Sequence, residues 1–322
     1  MKKNYILLVI SLWASVAAAQ QPAQFSLWML NPYGRNIAAG GLEKTLVATA
    51  GYRAQWVGLE GSPTTQYINV SLPISLIGSG VGVAVENENI GARSGLSVKL
   101  SYNFIKKLGD GQLSFGVAGG IVQGTLDGAK LRTPDGDYAQ NVIDHRDPLL
   151  NAVSLTGSVT TFDAGVFYKN DKLEIGISSG NLTEPKLRLE NQKVAEVRLR
   201  RHYTAMAIGH FDLFSSISVH PSVLIKSDGT ETQMDFSAMF RYADNFFLGA
   251  TFRGYNASSQ DAAVIYAGFK LSPNLNLAYA YDVTLSALKS ASQGSHEVLL
   301  QYNFGKEFGR GRLPPIIYNP RF

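Results

Sequence analysis

Cysteine is absent from all 322 residues, which excludes disulfide frameworks and thiolate metal sites. Histidine is nearly absent too, with five in the chain: His145, His202, His210, His220 and His296. The triplet Ser295-His296-Glu297 is the place where a hydrolase relay could be sought. On a strand, however, His296 points away from both neighbours, so the three cannot act on one another. No catalytic pair stands out and no enzymatic activity is expected. Basic runs are missing, which removes nucleic acid as a partner. The formal net charge of +4 falls to about +2 once Lys2 and Lys3 leave with the leader described below. Asp135-Gly136-Asp137 resembles a fragment of a calcium loop, but the bidentate glutamate that completes such a loop is missing, and no metal or other cofactor is expected. Beyond the leader, no stretch reaches the roughly 18 consecutive apolar residues of a spanning helix, so any membrane crossing must be made by strands.

The residues that are present point to strands. The chain opens Met1-Lys2-Lys3-Asn4, continues with the apolar run Tyr5 to Val16 and ends that run at Ala17-Ala18-Ala19. This is the pattern of a secretory signal peptide over residues 1–19. Residues 20–44 are irregular, punctuated by Asn31-Pro32 and Gly40-Gly41, and read as a periplasmic or plug-like segment. From Thr45 to Phe304, segments near the 9–11 residues of a tilted membrane strand alternate with turns. Fourteen are expected, from Thr45–Gln55 through Ser295–Phe304. Leu275, Leu277, Tyr279, Tyr281, Val283 and Leu285 lie on one face of the penultimate strand, with small or polar residues on the other. Leu96, Val98, Leu100, Tyr102 and Phe104 repeat the arrangement. Pro221 predicts a bulge or bend within its strand. Long connections (Leu126–Thr160, Gly180–Leu199) alternate with short ones (Lys169–Asp171, Ala243–Asn245), which is the outer-membrane arrangement. With 15 Tyr, 16 Phe and 32 Gly, the fold expected is all-β, a transmembrane antiparallel barrel of about fourteen strands over 45–304. Its first and last strands should pair to remove the sheet edges. By alternation Lys99, Asp163, Glu174, Asp235, Arg241, Arg253, Lys270, Asp282 and Glu297 face the lumen. Charge pairing across it and partial plugging are expected.

Several segments resemble one family in order along the chain. Arg53-Ala54-Gln55-Trp56-Val57-Gly58-Leu59-Glu60-Gly61-Ser62-Pro63-Thr64 is similar to a characteristic block of the PorP/SprF proteins. Glu88-Asn89-Ile90-Gly91, Arg201-His202-Tyr203, Pro221 to Lys226, Tyr279 to Ser286, Gly294 to Val298 and the terminal Asn319-Pro320-Arg321-Phe322 also match. The family's Asn-Pro-Ala-Tyr-Ala-Gly segment survives in altered form as Asn36-Ile37-Ala38-Ala39-Gly40-Gly41. The resemblance implies a non-enzymatic barrel in the outer-membrane lipid of Bacteroidetes-type bacteria, serving type IX secretion and gliding motility. It further implies partners among the periplasmic lipoprotein ring of the translocon and a secreted surface cargo protein. The alternative is an outer-membrane channel or hydrophobic-solute transporter.

Candidate partner-binding residues follow from these segments. Arg53 and Gln55 end the first strand, and the connection Trp56–Pro63 that follows, with Trp56, Gly58, Glu60, Gly61 and Pro63, either folds inward, meets a cargo, or places Trp56 in the interfacial girdle while Gly58, Gly61 and Pro63 make a turn. Asp282 and Glu297, inside and near the outer turn, could grip a loop or a cargo segment, with His296 beside them. The tail 305–322 carries Arg321 and Phe322 and is expected to dock a periplasmic partner.

Overall fold

Strand alternation builds the molecule. The computed structural model describes residues 23–43, 45–138, 143–147, 150, 152–189, 196–256 and 259–305. The signal peptide and the tail beyond residue 305, with Arg321 and Phe322, lie outside the described residues. In chain order the strands are β1 (Val47–Ala54), β2 (Thr64–Ile74), β3 (Ser79–Ile90), β4 (Arg93–Leu108), β5 (Gly111–Asp127), β6 (Ser154–Lys169), β7 (Leu173–Gly180), β8 (Lys186–Arg188), β9 (Glu196–Arg198), β10 (His202–Gly209), β11 (Phe211–Phe214), β12 (Ile217–Ser227), β13 (Thr232–Tyr242), β14 (Phe246–Arg253), β15 (Ala262–Ser272), β16 (Leu275–Thr284) and β17 (Ser295–Asn303). Each wall strand pairs antiparallel with its neighbours; β10 meets β12, and β1 meets β17 from Val47 opposite Asn303 to Ala54 opposite His296. The result is a closed barrel of 14 strands. Closure leaves no sheet edge to template unwanted pairing.

The wall strand that precedes Pro221 is written in two pieces, β10 and β11. Ile208 pairs with Ser222, and Phe211 pairs with Val219 in the same register. Between them stand Gly209 and His210, opposite Pro221 and His220. Proline has no N–H to give, and the ladder is interrupted there while β12 runs unbroken from Ile217 to Ser227. The bulge expected from Pro221 is therefore a gap in the neighbouring ladder.

The outward face is apolar all round. Leu100, Val117, Ile177 and Ile265 are each about 60% exposed, and Phe104, Phe115, Phe240, Leu248 and Tyr279 join them. Such a continuous belt would be an aggregation liability in water and is the surface that lipid wets. Pairs of short turns (Gly109–Asp110, Ala243–Asn245) close one end of the barrel. The long β5–β6 and β7–β10 connections stand at the other. The β7–β10 connection carries the β8–β9 hairpin, which turns in over this mouth. Leu187 is buried, and a Cβ on Gly124 would lie 2.4 Å from its side chain. Glu184 and Glu196 knit the hairpin's charged side. The Arg201 backbone N–H and the Arg198 guanidinium hold the Glu184 carboxyl below its ordinary range, and Lys186 and Arg188 do the same for Glu196.

Candidate functional site

Segment 23–43 runs inside the barrel, from the mouth with long loops to the end with short turns, and then turns into β1. It has three single-turn 3₁₀ helices, Trp28–Leu30, Pro32–Gly34 and Ile37–Ala39, tied by the side chains of Asn31 and Asn36 to the amides of Gly34 and Ala38. Apolar and polar walls share the lumen between them. Met206, Leu224, Met239, Phe247, Val264, Tyr266 and Leu299 form one buried cluster with Phe25, Leu27, Trp28 and Met29 of the segment. Burying side chains of this size is worth about 1.5–3 kcal/mol each, so the segment completes a core rather than resting in a channel.

The opposite wall makes room with glycines where the segment passes most closely. A Cβ on Gly116 would sit 2.7 Å from Ala38 Cα, one on Gly80 2.8 Å from Gly41 Cα, and one on Gly165 2.4 Å from the Asn36 side chain. Asn36 uses that space to donate to the Val166 and Ile177 carbonyls, both at 3.1 Å, while Asn103 donates to the Ile37 carbonyl at 2.6 Å. Tyr33 shares a 2.8 Å hydrogen bond with Ser101. Tyr33 and the stretch Asn36–Gly41 are thus seated against this glycine-lined wall.

Near the outer mouth the barrel charges converge on Ser26. Its N–H donates to Glu297 at 2.6 Å and its hydroxyl to Asp282 at 2.7 Å. Arg53 donates to the Ser26 hydroxyl at 3.0 Å and to Asp282 at 2.7 Å; Arg253 donates to the same two groups at 3.1 and 2.9 Å. Arg53 also lies 3.4 Å from Glu297, and Arg253 lies 3.3 Å from Asp235. All five charged side chains are 1% exposed or less. Charges so deeply buried persist only when paired and hydrogen-bonded, and here each is. Gln55 donates to the Gln24 side chain at 3.0 Å, Gln24 donates to Gln233, and Phe25 packs edge-on against Tyr67 with Arg35 4.1 Å over its other side. On the β4–β6 wall, Lys99 meets Asp163 at 2.6 Å.

Arg53, Gln55, Asp282 and Glu297 therefore come together, and the strand of peptide they grip is the chain's own. Arg253 and Asp235, placed in the lumen by alternation, complete the cluster. Ser26 and Gln24 carried no signal in the sequence, since a hydroxyl and an amide in an aperiodic stretch look like any loop. Trp56, Gly58, Glu60, Gly61 and Pro63 lie elsewhere, on the rim. The Trp56 N–H donates to Ser295, and Val57 exchanges backbone bonds with Gly294 and Gln293, so this connection is bound to the β16–β17 loop and does not constrict the lumen. Glu60 and Gly61 are exposed, and Trp56 is half-buried. His296 faces outward, its Nδ1 2.6 Å from the Tyr279 hydroxyl, while Ser295 and Glu297 point inward. No relay joins the three. In the β5–β6 connection Asp127 caps the turn Gly128–Lys130 and Asp137 approaches Arg146 at 3.9 Å.

The profile of the family described as type IX secretion system membrane protein PorP/SprF matches residues 17–302. The chain belongs to the PorP/SprF family. A closed strand barrel with a lipid belt, in a family of type IX secretion membrane proteins, makes this member a protein of the outer membrane. No curated protein matches the chain. Among solved structures, the outer-membrane protein Omp33 of Acinetobacter baumannii is similar over 82% of this chain and 100% of its own, at 6% identity and a TM-score of 0.47. A FadL homologue of Pseudomonas aeruginosa is similar over 84% and 93%, at 12% identity and a TM-score of 0.48. Likeness at that level carries nothing about substrate or activity.

Proposed function

We propose that this PorP/SprF protein works by binding, as a non-enzymatic outer-membrane scaffold that joins periplasmic translocon components to an exported surface cargo. The observation that supports the reading is the occupied lumen: segment 23–43 fills it and shares a core with the wall. A barrel filled in this way offers its ends and loops rather than a passage. The rim residues Trp56, Gly58, Glu60, Gly61 and Pro63, together with His296, are assigned to the cargo side. The tail 305–322, with Arg321 and Phe322, is assigned to the periplasmic partner. Arg53, Gln55, Asp282 and Glu297 serve binding indirectly, by fixing segment 23–43.

The test has two arms. Reconstituted in planar bilayers, the wild-type protein should show no steady conductance, and in detergent extracts it should co-purify with a periplasmic lipoprotein and a secreted protein. Removing residues 305–322 should abolish the lipoprotein's co-purification while the barrel keeps its heat-modifiable migration. Steady single-channel conductance of the wild type would favour the transporter reading instead. Unchanged co-purification after tail removal would sink the tail assignment.

A further inference from the structure

Beneath the luminal segment, at the end with short turns, the barrel encloses a cavity of about 300 Å³. This is the lower end of the size range of small-molecule sites. Its lining runs across the lumen from Asn69 and Ser71 on β2 to Arg241 on β13, with Met29 and Leu30 of the segment and Met239 of the wall between them. Asn69 and Ser71 are 6% and 7% exposed, yet neither side chain makes a hydrogen bond among the described residues. Their polar atoms are not sealed in protein either; they face the open space. Buried amides and hydroxyls are normally satisfied, so two that are aimed, unpartnered, into one cavity mark a place for a partner with hydrogen-bonding groups.

The charge balance is uneven along the cavity. Lys169 is neutralised by Glu43 at 2.5 Å and by Glu174 at 3.1 Å. His210 takes up Glu174 from its other side at 3.2 Å, and its Nδ1 meets that of His220 at 2.7 Å. Those groups satisfy one another. Arg241 has no such partner: among the described residues it makes neither a hydrogen bond nor an ion pair, and it stands half-buried at the cavity's far wall. A guanidinium with its fork free, facing a pocket, is suited to a carboxylate.

We propose that this cavity is a binding site for a short amphipathic peptide carboxylate entering from the periplasmic end. Arg241 takes the carboxylate, Asn69 and Ser71 take backbone amide groups at the other wall, and Met29, Leu30 and Met239 cover an aliphatic side chain. Two sources share this chemistry, a free dipeptide-sized molecule and the C-terminal end of a longer polypeptide.

The experiment uses the full mature chain in detergent micelles and three probes read by isothermal titration. They are N-acetyl-leucyl-aspartate, the same dipeptide with both carboxylates amidated, and a twenty-residue unstructured peptide ending in leucyl-aspartate. The dipeptide should bind, and amidation should weaken it at least tenfold. R241Q should cost the dipeptide at least tenfold and the amidated form less than twofold. N69L, on the opposite wall, should weaken both forms. Binding of the long peptide as well as the dipeptide identifies a polypeptide end as an accepted source; binding of the dipeptide alone restricts the site to free small carboxylates. Heat-modifiable migration confirms that each variant is folded. Absence of binding by both acidic probes at millimolar concentration, or equal affinity for R241Q and the wild type, overturns the proposal.

Discussion

Arg53 is where the luminal segment can be tested most sharply. The change Arg53→Met keeps most of the aliphatic stem and removes the charge. Asp282 would retain Arg253 at 2.9 Å, so the loss falls on Glu297. That carboxylate is fully buried and would keep only the Ser26 N–H at 2.6 Å and the Tyr67 hydroxyl at 3.4 Å. Breaking a buried pair by deleting one partner costs about 3–5 kcal/mol, chiefly because the survivor is left charged and uncompensated. The remaining donors to Glu297 place Arg53→Met at the low end, about 3 kcal/mol. The partner change Glu297→Gln removes the stranded charge while its carbonyl still accepts from Ser26. The double variant should therefore recover about 2 kcal/mol of that loss. Urea unfolding in lipid vesicles measures this, with the fluorescence of Trp28, 1% exposed in the lumen, read in a Trp56→Phe background as a probe of the segment itself. A single-variant cost below about 1 kcal/mol would refute the argument that the cluster is dry and interdependent. So would a double variant no more stable than Arg53→Met.

Three further outcomes follow from the geometry. Gly116→Val and Gly80→Val each place a Cβ within 3 Å of segment backbone; both should expose residues 36–41 to proteolysis or hydrogen exchange while leaving the barrel ladder intact, and unchanged protection would contradict the seating of that stretch. In the β8–β9 hairpin the folded carboxyls of Glu184 and Glu196 are depressed. Their contribution to hairpin order is present above the unfolded carboxylate range near pH 4 and is lost as pH falls through the lower folded values, so protection over residues 184–189 should fall as the pH is taken below about 4. A hairpin equally protected at pH 7 and pH 2 would oppose it. On the outer face, Leu100→Arg should destabilise the protein by about 2–4 kcal/mol in bilayers, the cost of a cation near the membrane midplane; a neutral effect would place Leu100 outside the lipid.

The wall of this protein was legible in its sequence because a strand repeats every two residues. Leu96 to Phe104 and Leu275 to Leu285 show one face at a glance, and Thr64–Ile74 has the observed limits to the residue. The contrast of short and long connections then assigns the ends. Even the lumen charges could be placed by parity alone, Asp235, Arg253, Asp282 and Glu297 among them. Parity does not say across which distance two inward charges meet, nor what lies between them. Arg53 and Glu297 face each other across β1 and β17, and Asp235 and Arg253 across β13 and β14, but nothing in the alternation brings these two pairs and Asp282 of β16 around one serine. Segment 23–43 has no period to read: its turns are single 3₁₀ turns, too short to repeat a face. Its apolar residues, Phe25, Leu27, Trp28 and Met29, look like a loop with an unexplained excess of large side chains.

That excess is the physical reason the lumen is filled. A strand whose outward face meets lipid is free to be polar inside, as Thr49, Asn69, Ser71, Ser101 and Asn103 are on β1, β2 and β4. Met206, Leu224, Met239, Phe247, Val264 and Leu299 are not polar, and on an open barrel they would face water. A wall that is apolar on both faces needs a second apolar partner on its inner side, just as a sheet covered on both faces does. Leu27, Trp28 and Met29 supply it. The polar wall opposite needs no such cover, and there the fit is made by glycines and by side chains that hydrogen-bond the segment's backbone. Two unlike walls around one segment fix its rotation as well as its position. Replacing Trp28 by Ala should therefore cost about 3–5 kcal/mol, as for a residue of a protein core, and an effect under 1 kcal/mol would mean that the segment is a loosely held insert.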